Sequence, residues 1–230
     1  MTGIRFVYFD LDDTLLDHRQ AQHLALVDLH GMLPTLGEVP LRKVHSTYRE
    51  VNGKVWREYA AGTRSKEGTR SGRFELLFEA LGIEADAMVA ADKYLEAYAD
   101  HWELHEGALE VFDRVTKRYP TGVLTNGFAE AQRAKLARFP HLTAAFSAIV
   151  ISEEEGVLKP HPELFRIATA RAGVGPAEIL YVGDSLHSDV VGGLNAGWQV
   201  AWYTDGEEVA GEPRVFRFSD WTDLAGLLRV

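Results

Sequence analysis

Apolar and polar positions along the chain follow two rhythms. Ile4 to Phe9 is a short apolar run rich in β-branched and aromatic residues, which predicts a buried strand, and it breaks off at Asp10-Leu11-Asp12-Asp13-Thr14. After it the apolar residues return at helical spacing. Ala21, Leu24, Ala25, Val27 and Leu29 mark an amphipathic helix over Asp17 to Leu33, broken by Pro34 to Pro40. Val44, Tyr48, Val51, Val55, Trp56 and Tyr59 predict a second helix over Leu41 to Ala61. The basic, glycine-containing stretch Gly62 to Gly72 reads as a connection, with further helices over Arg73 to Leu81 and Asp86 to Leu104. No strand pattern interrupts this region.

From Glu106 onward helix and strand alternate. Helices are predicted over Ala108 to Tyr119, Ala129 to Phe139, Pro162 to Ala172 and Ser188 to Ala196. The strands between and after them are Thr121 to Thr125, Ala148 to Ser152, Ile179 to Gly183 and Gln199 to Tyr203. A short strand, Val215 to Phe218, and a helix, Trp221 to Leu228, follow. The acidic run Glu153 to Glu155 reads as a solvated loop. Such alternation predicts an α/β fold: a Rossmann-like parallel sheet with helices on both faces. The expected core is residues 1–16 and 105–230, with residues 17–104 as an inserted helical segment.

Composition narrows the function. The 230 residues are 46% hydrophobic and 25% charged, enough for a packed core and too apolar for a disordered chain. The absence of cysteine excludes disulfides, thiolate metal sites and a cysteine nucleophile. A net charge of −10 argues against a nucleic-acid polymer as partner, while leaving small phosphorylated metabolites open. Asp10, Asp12 and Asp13 interrupt any signal-peptide core, and no apolar run approaches the roughly 20 residues needed to span a bilayer, so no membrane partner is expected and the setting reads as cytoplasmic. Oligomeric state is not legible.

Asp10 ends a strand, the place where open α/β sheets gather ligands. Taken alone, Asp10-x-Asp12 reads as a strand end running into a polar turn. Three later stretches change its weight: Gly122-Val123-Leu124-Thr125-Asn126-Gly127, Lys159-Pro160-His161-Pro162, and Ile179 to Asp189 with Asp184, Ser185 and Asp189 at its polar end. In this order the four stretches resemble the motifs of the haloacid dehalogenase superfamily, most of whose members are phosphatases. The resemblance covers nearly the whole chain. It implies a phosphomonoesterase in which Asp10 is the nucleophile and forms an aspartyl-phosphate. Asp12 would be the general acid and base. Thr125, Asn126 and Lys159 would bind the phosphoryl group. Asp10, Asp184 and the backbone carbonyl of Asp12 would hold a metal, with Ser185 and Asp189 behind them. Hard oxygen donors make Mg²⁺ the expected ion. The family's dehalogenases typically lack the second aspartate, so Asp12 favours phosphatase chemistry. His161 stands where many members carry an acidic residue.

The helical segment resembles the cap of this superfamily, which closes over the active site and meets the leaving group. Tyr48, Asn52, Trp56, Tyr59, Gly62 and Arg73-Phe74-Glu75 within it resemble the pyrimidine 5′-nucleotidase branch, much of which the N-acylneuraminate-9-phosphatase type shares. Asn52, Trp56 and Arg73 are therefore the candidate specificity residues, against the alternative that Trp56 is core, Asn52 a satisfied buried amide and Arg73 a surface charge. Nucleoside 5′-monophosphates are the expected substrates, sugar phosphates the alternative. A binding protein that kept the fold without the chemistry is the competing class. His101 and His105, four apart on a predicted helix, form a further possible metal pair, although Trp102 excludes the metalloprotease motif.

Overall fold

The computed structural model describes residues 3–206 and 212–230. Met1, Thr2 and residues 207–211, which the expected core segments include, lie outside the described residues. The chain forms two compact units, one of Met1–Asp17 with Leu104–Val230 and one of His18–Glu103.

The first unit is built on a six-stranded sheet of β1 (Phe6–Phe9), β2 (Thr121–Thr125), β3 (Phe146–Ile151), β4 (Ile179–Gly183), β5 (Gln199–Tyr203) and β6 (Val215–Phe218). Their spatial order is β3-β2-β1-β4-β5-β6, and every pairing is parallel. The α/β fold with a Rossmann-like sheet is thus established. All residues of β1, β2 and β4 are buried, the signature of a parallel sheet covered on both faces. Tyr8, Phe165, Tyr181 and Trp198 form the aromatic heart of one face. Tyr8 stacks on Trp198 at 5.4 Å, and Phe165 meets that indole edge-on at 5.1 Å. The two strand orders radiating from β1 make it the switch point, so the loops after β1, β2 and β4 open on one another at the carboxyl edge.

The second unit is helical: α1 (His18–Met32), α2 (Leu41–Ala60), α3 (Lys66–Leu81) and α4 (Ala87–Asp100), with a short turn, Pro34–Gly37, between the first two. Tyr48, Phe74, Leu77, Ala90 and Tyr94 lie in one apolar core with Ala21, Ala25 and Leu29 of α1. None of the described helices is long and apolar enough to cross a membrane.

Several boundaries differ from expectation. The third helix starts at Lys66, not Arg73, so the connection shrinks to a few residues. Ser65 caps it by accepting from the Gly68 amide at 3.0 Å, and the glycines that read as breakers make room for Arg64, whose Nη1 donates to Gly68 O at 3.0 Å. The fourth helix stops at Asp100, so His101 and His105 do not share a helical face. His101 instead pairs with Asp28 at 2.6 Å. The acidic run is a helical turn, Ser152–Glu155, rather than a solvated loop. Glu153 accepts from the Ala129 amide at 2.6 Å, Glu154 pairs with Arg133 at 2.8 Å and Glu155 with Arg171 at 2.6 Å.

The remaining long helices of the first unit are α5 (Ala108–Thr116), α6 (Ala129–Arg138), α7 (Pro162–Ala172) and α8 (Trp221–Leu228). His161 caps α7, its Nδ1 accepting from the Glu163 amide at 3.2 Å.

Candidate active site

Asp10 leaves β1 at its carboxyl end and is tied to the neighbouring strand β4, its amide donating to Val182 O at 2.8 Å. Its side chain is buried, and Oδ1 sits 2.7 Å from Nζ of Lys159. That ammonium, itself buried, also lies 2.8 Å from Oδ1 of Asp189 and donates to the Tyr181 hydroxyl at 2.7 Å and to Leu124 O at 3.2 Å. Lys159 is thus shared by two carboxylates and steered by a phenol. Burial pulls the Lys159 ammonium down, but the charges of Asp10 and Asp189 outweigh it and hold it above its ordinary value. Burial above all, reinforced by Asp189 and Asp10, also keeps the Tyr181 phenol protonated well beyond its usual range. It therefore has a proton to donate, with Leu124 O at 2.8 Å as acceptor.

Asp189 reaches this position through the loop after β4. The Ser185 carbonyl accepts from both the Asp189 and the Val190 amides, at 3.0 and 3.1 Å, a widened helical turn of the kind that often marks functional sites. Ser185 N donates to Asp189 Oδ2 at 3.0 Å. Gly183 is required here by space: a β-carbon on it would come within 2.5 Å of Asp189 Oδ2.

The carboxylates of Asp10, Asp184 and Asp189 offer oxygens that all lie within 4.8 Å of one another. Burial, the Asp189 charge and the Asp12 charge push Asp10 up to about 7 despite the opposing pull of Lys159. Asp184 is pushed up to about 8, by burial first and by the Asp10 charge next. The raised values express burial first and, after it, the mutual repulsion of the clustered carboxylates. Hard oxygen donors with net negative charge fit a divalent cation of the Mg²⁺ kind.

Thr125, at the end of β2, is fully buried; its Oγ1 accepts from Gln132 Nε2 at 2.7 Å. The Asn126 side chain clasps the Lys159 backbone from both sides, accepting from Lys159 N at 2.8 Å and donating to Lys159 O at 3.1 Å. It therefore holds the lysine in place. Asp12 turns towards α6: Lys135 Nζ contacts its two oxygens at 2.6 and 2.8 Å, and Gln132 Nε2 donates to Oδ2 at 3.1 Å.

Asp10, Thr125, Lys159, Asp184 and Asp189 thus come together at one edge of the sheet, while Asp12 stands with Lys135 and Gln132 beside Thr125. Asn52, Trp56 and Arg73 belong to the helical unit. There Trp56 is half-buried and meets Tyr59 edge-on at 5.6 Å. Arg73 is buried rather than a surface charge, its guanidinium over the rings of Tyr94 at 5.1 Å and Phe74 at 5.6 Å. Asn52 Oδ1 is closed off from solvent and finds no hydrogen-bond partner among the described residues, so it is not a satisfied core amide.

Sequence reasoning missed Tyr181, Gln132 and Lys135. Tyr181 hid inside an apolar strand run. Gln132 and Lys135, three apart on α6, both lie on its buried face with Leu136, and paired polar residues on a buried face were the available signal.

Residues 4–197 match the family of haloacid dehalogenase-like hydrolases. The pyrimidine 5′-nucleotidase YjjG of Escherichia coli is 31% identical over 86% of this chain and 84% of its own. The glyceraldehyde 3-phosphate phosphatase of Pyrococcus furiosus is 30% identical over 100% of this chain and 94% of its own. Among solved structures, the Bacillus subtilis HAD-hydrolase YfnB, bound to magnesium, superimposes with a TM-score of 0.82 at 27% identity over the whole of both chains. A family match across most of the chain, phosphatase relatives of near full-length coverage and an aspartate-centred site at the sheet's carboxyl edge together mean that the chain belongs to the haloacid dehalogenase-like hydrolases, among their phosphoric monoester hydrolases.

Proposed function

We propose that the chain hydrolyses a small phosphorylated metabolite through an aspartyl-phosphate on Asp10, with a nucleoside 5′-monophosphate as the leading substrate class. One observation carries the reading: the buried Asp10 carboxylate at a strand end, 2.7 Å from a buried ammonium and grouped with two further carboxylates. An Asp10 oxygen attacks phosphorus, the P–O bond to the leaving group breaks, and Asp12 gives the departing oxygen its proton. Asp12 then takes a proton from water as that water's oxygen attacks phosphorus, and the bond to Asp10 breaks. Lys159 offsets charge on Asp10 and on the phosphoryl oxygens, and the Thr125 hydroxyl donates to one of them.

Asp10, Asp184 and the backbone carbonyl of Asp12 would hold Mg²⁺, with Asp189 and Ser185 behind them. When bound, the ion adds positive charge against the phosphoryl oxygens and the clustered carboxylates. Activity is expected to require Mg²⁺ and to fall when Ca²⁺ replaces it, because Ca²⁺ tolerates more ligands and looser geometry than the octahedral ion. Mg²⁺ alone should also stabilise the fold, as any ligand of the native state does, by about 2.7 kcal/mol at a hundredfold excess over its Kd, and so raise the melting temperature. Full activity in excess chelator, or no thermal shift, would contradict this part of the reading.

Choice of leaving group is assigned to Asn52, Trp56 and Arg73. The support is that Asn52 and Arg73 carry polar atoms closed off from solvent without partners among the described residues, groups that a substrate's carbonyl or hydroxyl would satisfy. The test is phosphate release over a panel of nucleotides and sugar phosphates, repeated with Asn52→Ala and Arg73→Ala. Losing one buried hydrogen bond, roughly 1–3 kcal/mol, should cut kcat/KM for nucleotides about 5- to 150-fold and leave a small aryl phosphate much less affected. Equal losses on both substrates would assign these residues to the packing around Phe74 and Tyr94. A wild-type preference for a sugar phosphate would favour the alternative class.

A further inference from the structure

We infer that Gln132 and Lys135 are positioning residues for the proton-transfer steps, holding the Asp12 carboxylate at a fixed place beside Thr125. The inference rests on the acid–base role proposed for Asp12 and adds two residues that lie outside the four motif stretches.

Three observations carry it. First, Lys135 is almost wholly buried, at 3% exposure, and directs its ammonium at Asp12, contacting Oδ1 at 2.6 Å and Oδ2 at 2.8 Å. Contact with both oxygens fixes the distance of the carboxylate, and the Gln132 bond to Oδ2 supplies the second point that limits its rotation. A buried lysine is costly to fold around, and an ion pair that serves stability alone is usually matched by apolar residues of similar volume. Second, the amide of Gln132, 1% exposed, donates from Nε2 to Asp12 Oδ2 at 3.1 Å, to Thr125 Oγ1 at 2.7 Å and to Asn126 O at 3.2 Å. One nitrogen therefore ties the acid–base residue to the hydroxyl assigned to the phosphoryl group. Third, the turn before α6 is shaped to admit that amide. Gly127 has φ of +149°, and a β-carbon there would come within 3.0 Å of Gln132 Cδ. Even the smallest side chain at position 127 would press on the bridging group.

Gln132 and Lys135 are three apart on one helix, so a single rigid element sets both contacts. What they control is where the Asp12 oxygens stand relative to the phosphoryl site. Neither touches the reacting atoms: Lys135 acts through Asp12, and Gln132 acts through Asp12 and Thr125 together. A misplacement of about 1 Å in a catalytic group can cost 10²-fold in rate.

The test uses the full chain with Lys135→Met, Gln132→Leu and Asp12→Asn, singly and combined, on an alkyl phosphate and on p-nitrophenyl phosphate. Lys135→Met and Gln132→Leu should each lower kcat on the alkyl phosphate about 10- to 100-fold with KM nearly unchanged. With p-nitrophenyl phosphate the leaving oxide needs no proton. Rapid mixing should then show an initial burst of about one equivalent of p-nitrophenolate, followed by slow turnover limited by attack of water on the phosphorylated Asp10. Combining Lys135→Met with Asp12→Asn should add no further loss, because both act through the same carboxylate, whereas Gln132→Leu retains the part of its loss that passes through Thr125. Losses that multiply fully in the Lys135→Met/Asp12→Asn variant, or a burst slowed as much as the steady state, would overturn the inference and assign the pair to general support of the fold. If Lys135→Met does not fold, Lys135→Gln, which removes the same charge but keeps a polar end, carries the same comparison. An Asp12→Asn variant of normal activity would instead remove the acid–base reading on which the inference stands.

Discussion

Asp10→Asn should abolish phosphate release while the protein stays folded. The amide matches the carboxylate in size and keeps an oxygen to accept from Lys159 Nζ, now 2.7 Å away. It lacks the anionic oxygen that attacks phosphorus, and removing a nucleophile from a set of residues that act as a unit costs on the order of 10⁴-fold or more. Stability should change little, and the reason is electrostatic. Burial, with the Asp189 and Asp12 charges, pushes Asp10 up to about 7, so its ionised form is already disfavoured in the fold. A neutral side chain relieves part of that repulsion, and Lys159 keeps Asp189 at 2.8 Å as its counter-charge. The check is paired: phosphate release under saturating substrate, and a thermal melt. Near-normal release would end the aspartyl-phosphate mechanism, whereas lost release with a collapsed melt would show that Asp10 serves the fold.

The parts of this molecule that could be read ahead of the structure share a physical cause. A parallel strand buried on both faces must be nearly continuous apolar sequence, and its chemistry begins where that run stops. Phe9 to Asp10, Leu124 to Thr125 and Val182 to Asp184 are such breaks, and β2, β1 and β4 prove to be adjacent strands. What escaped was polar chemistry carried inside regular elements. Tyr181 contributes to strand burial through its ring and to the site through its hydroxyl, and the pattern reports only the ring. Gln132 and Lys135 sit among Glu130, Arg133 and Arg138 on a helix of alanines and charged residues, where nothing in composition separates a buried ammonium from a solvated one. Arg73 reads from sequence as a specificity residue or a surface charge; it is buried, and neither reading anticipates its guanidinium lying over two aromatic rings. The third helix began seven residues early because Ser65 caps it and Arg64 fills the space its glycines leave.

Asp12→Asn should be the second large effect, and it should depend on the leaving group. Asparagine keeps the shape of the side chain but exchanges no proton, and general acid–base catalysis is worth about 10²–10⁴-fold. On an ordinary alkyl ester the leaving oxygen departs without its proton, so the loss should fall in that range. An activated aryl ester departs readily as the anion, so the loss should shrink to whatever the missing base costs in the attack of water. The substitution also has a structural consequence that the surroundings make visible. Lys135, 3% exposed, gives its ammonium to both Asp12 oxygens, and an amide at position 12 leaves that buried charge without a carboxylate there. The melting temperature of Asp12→Asn should therefore fall, in contrast to Asp10→Asn, and rates should be compared well below the lower melting point. Adding Lys135→Met to Asp12→Asn should restore part of that stability, since both members of the pair are then uncharged. It should not restore turnover on alkyl esters. An unchanged rate with such esters in Asp12→Asn would remove Asp12 from the chemistry, and an equal loss on alkyl and aryl esters would confine it to the water-activating step.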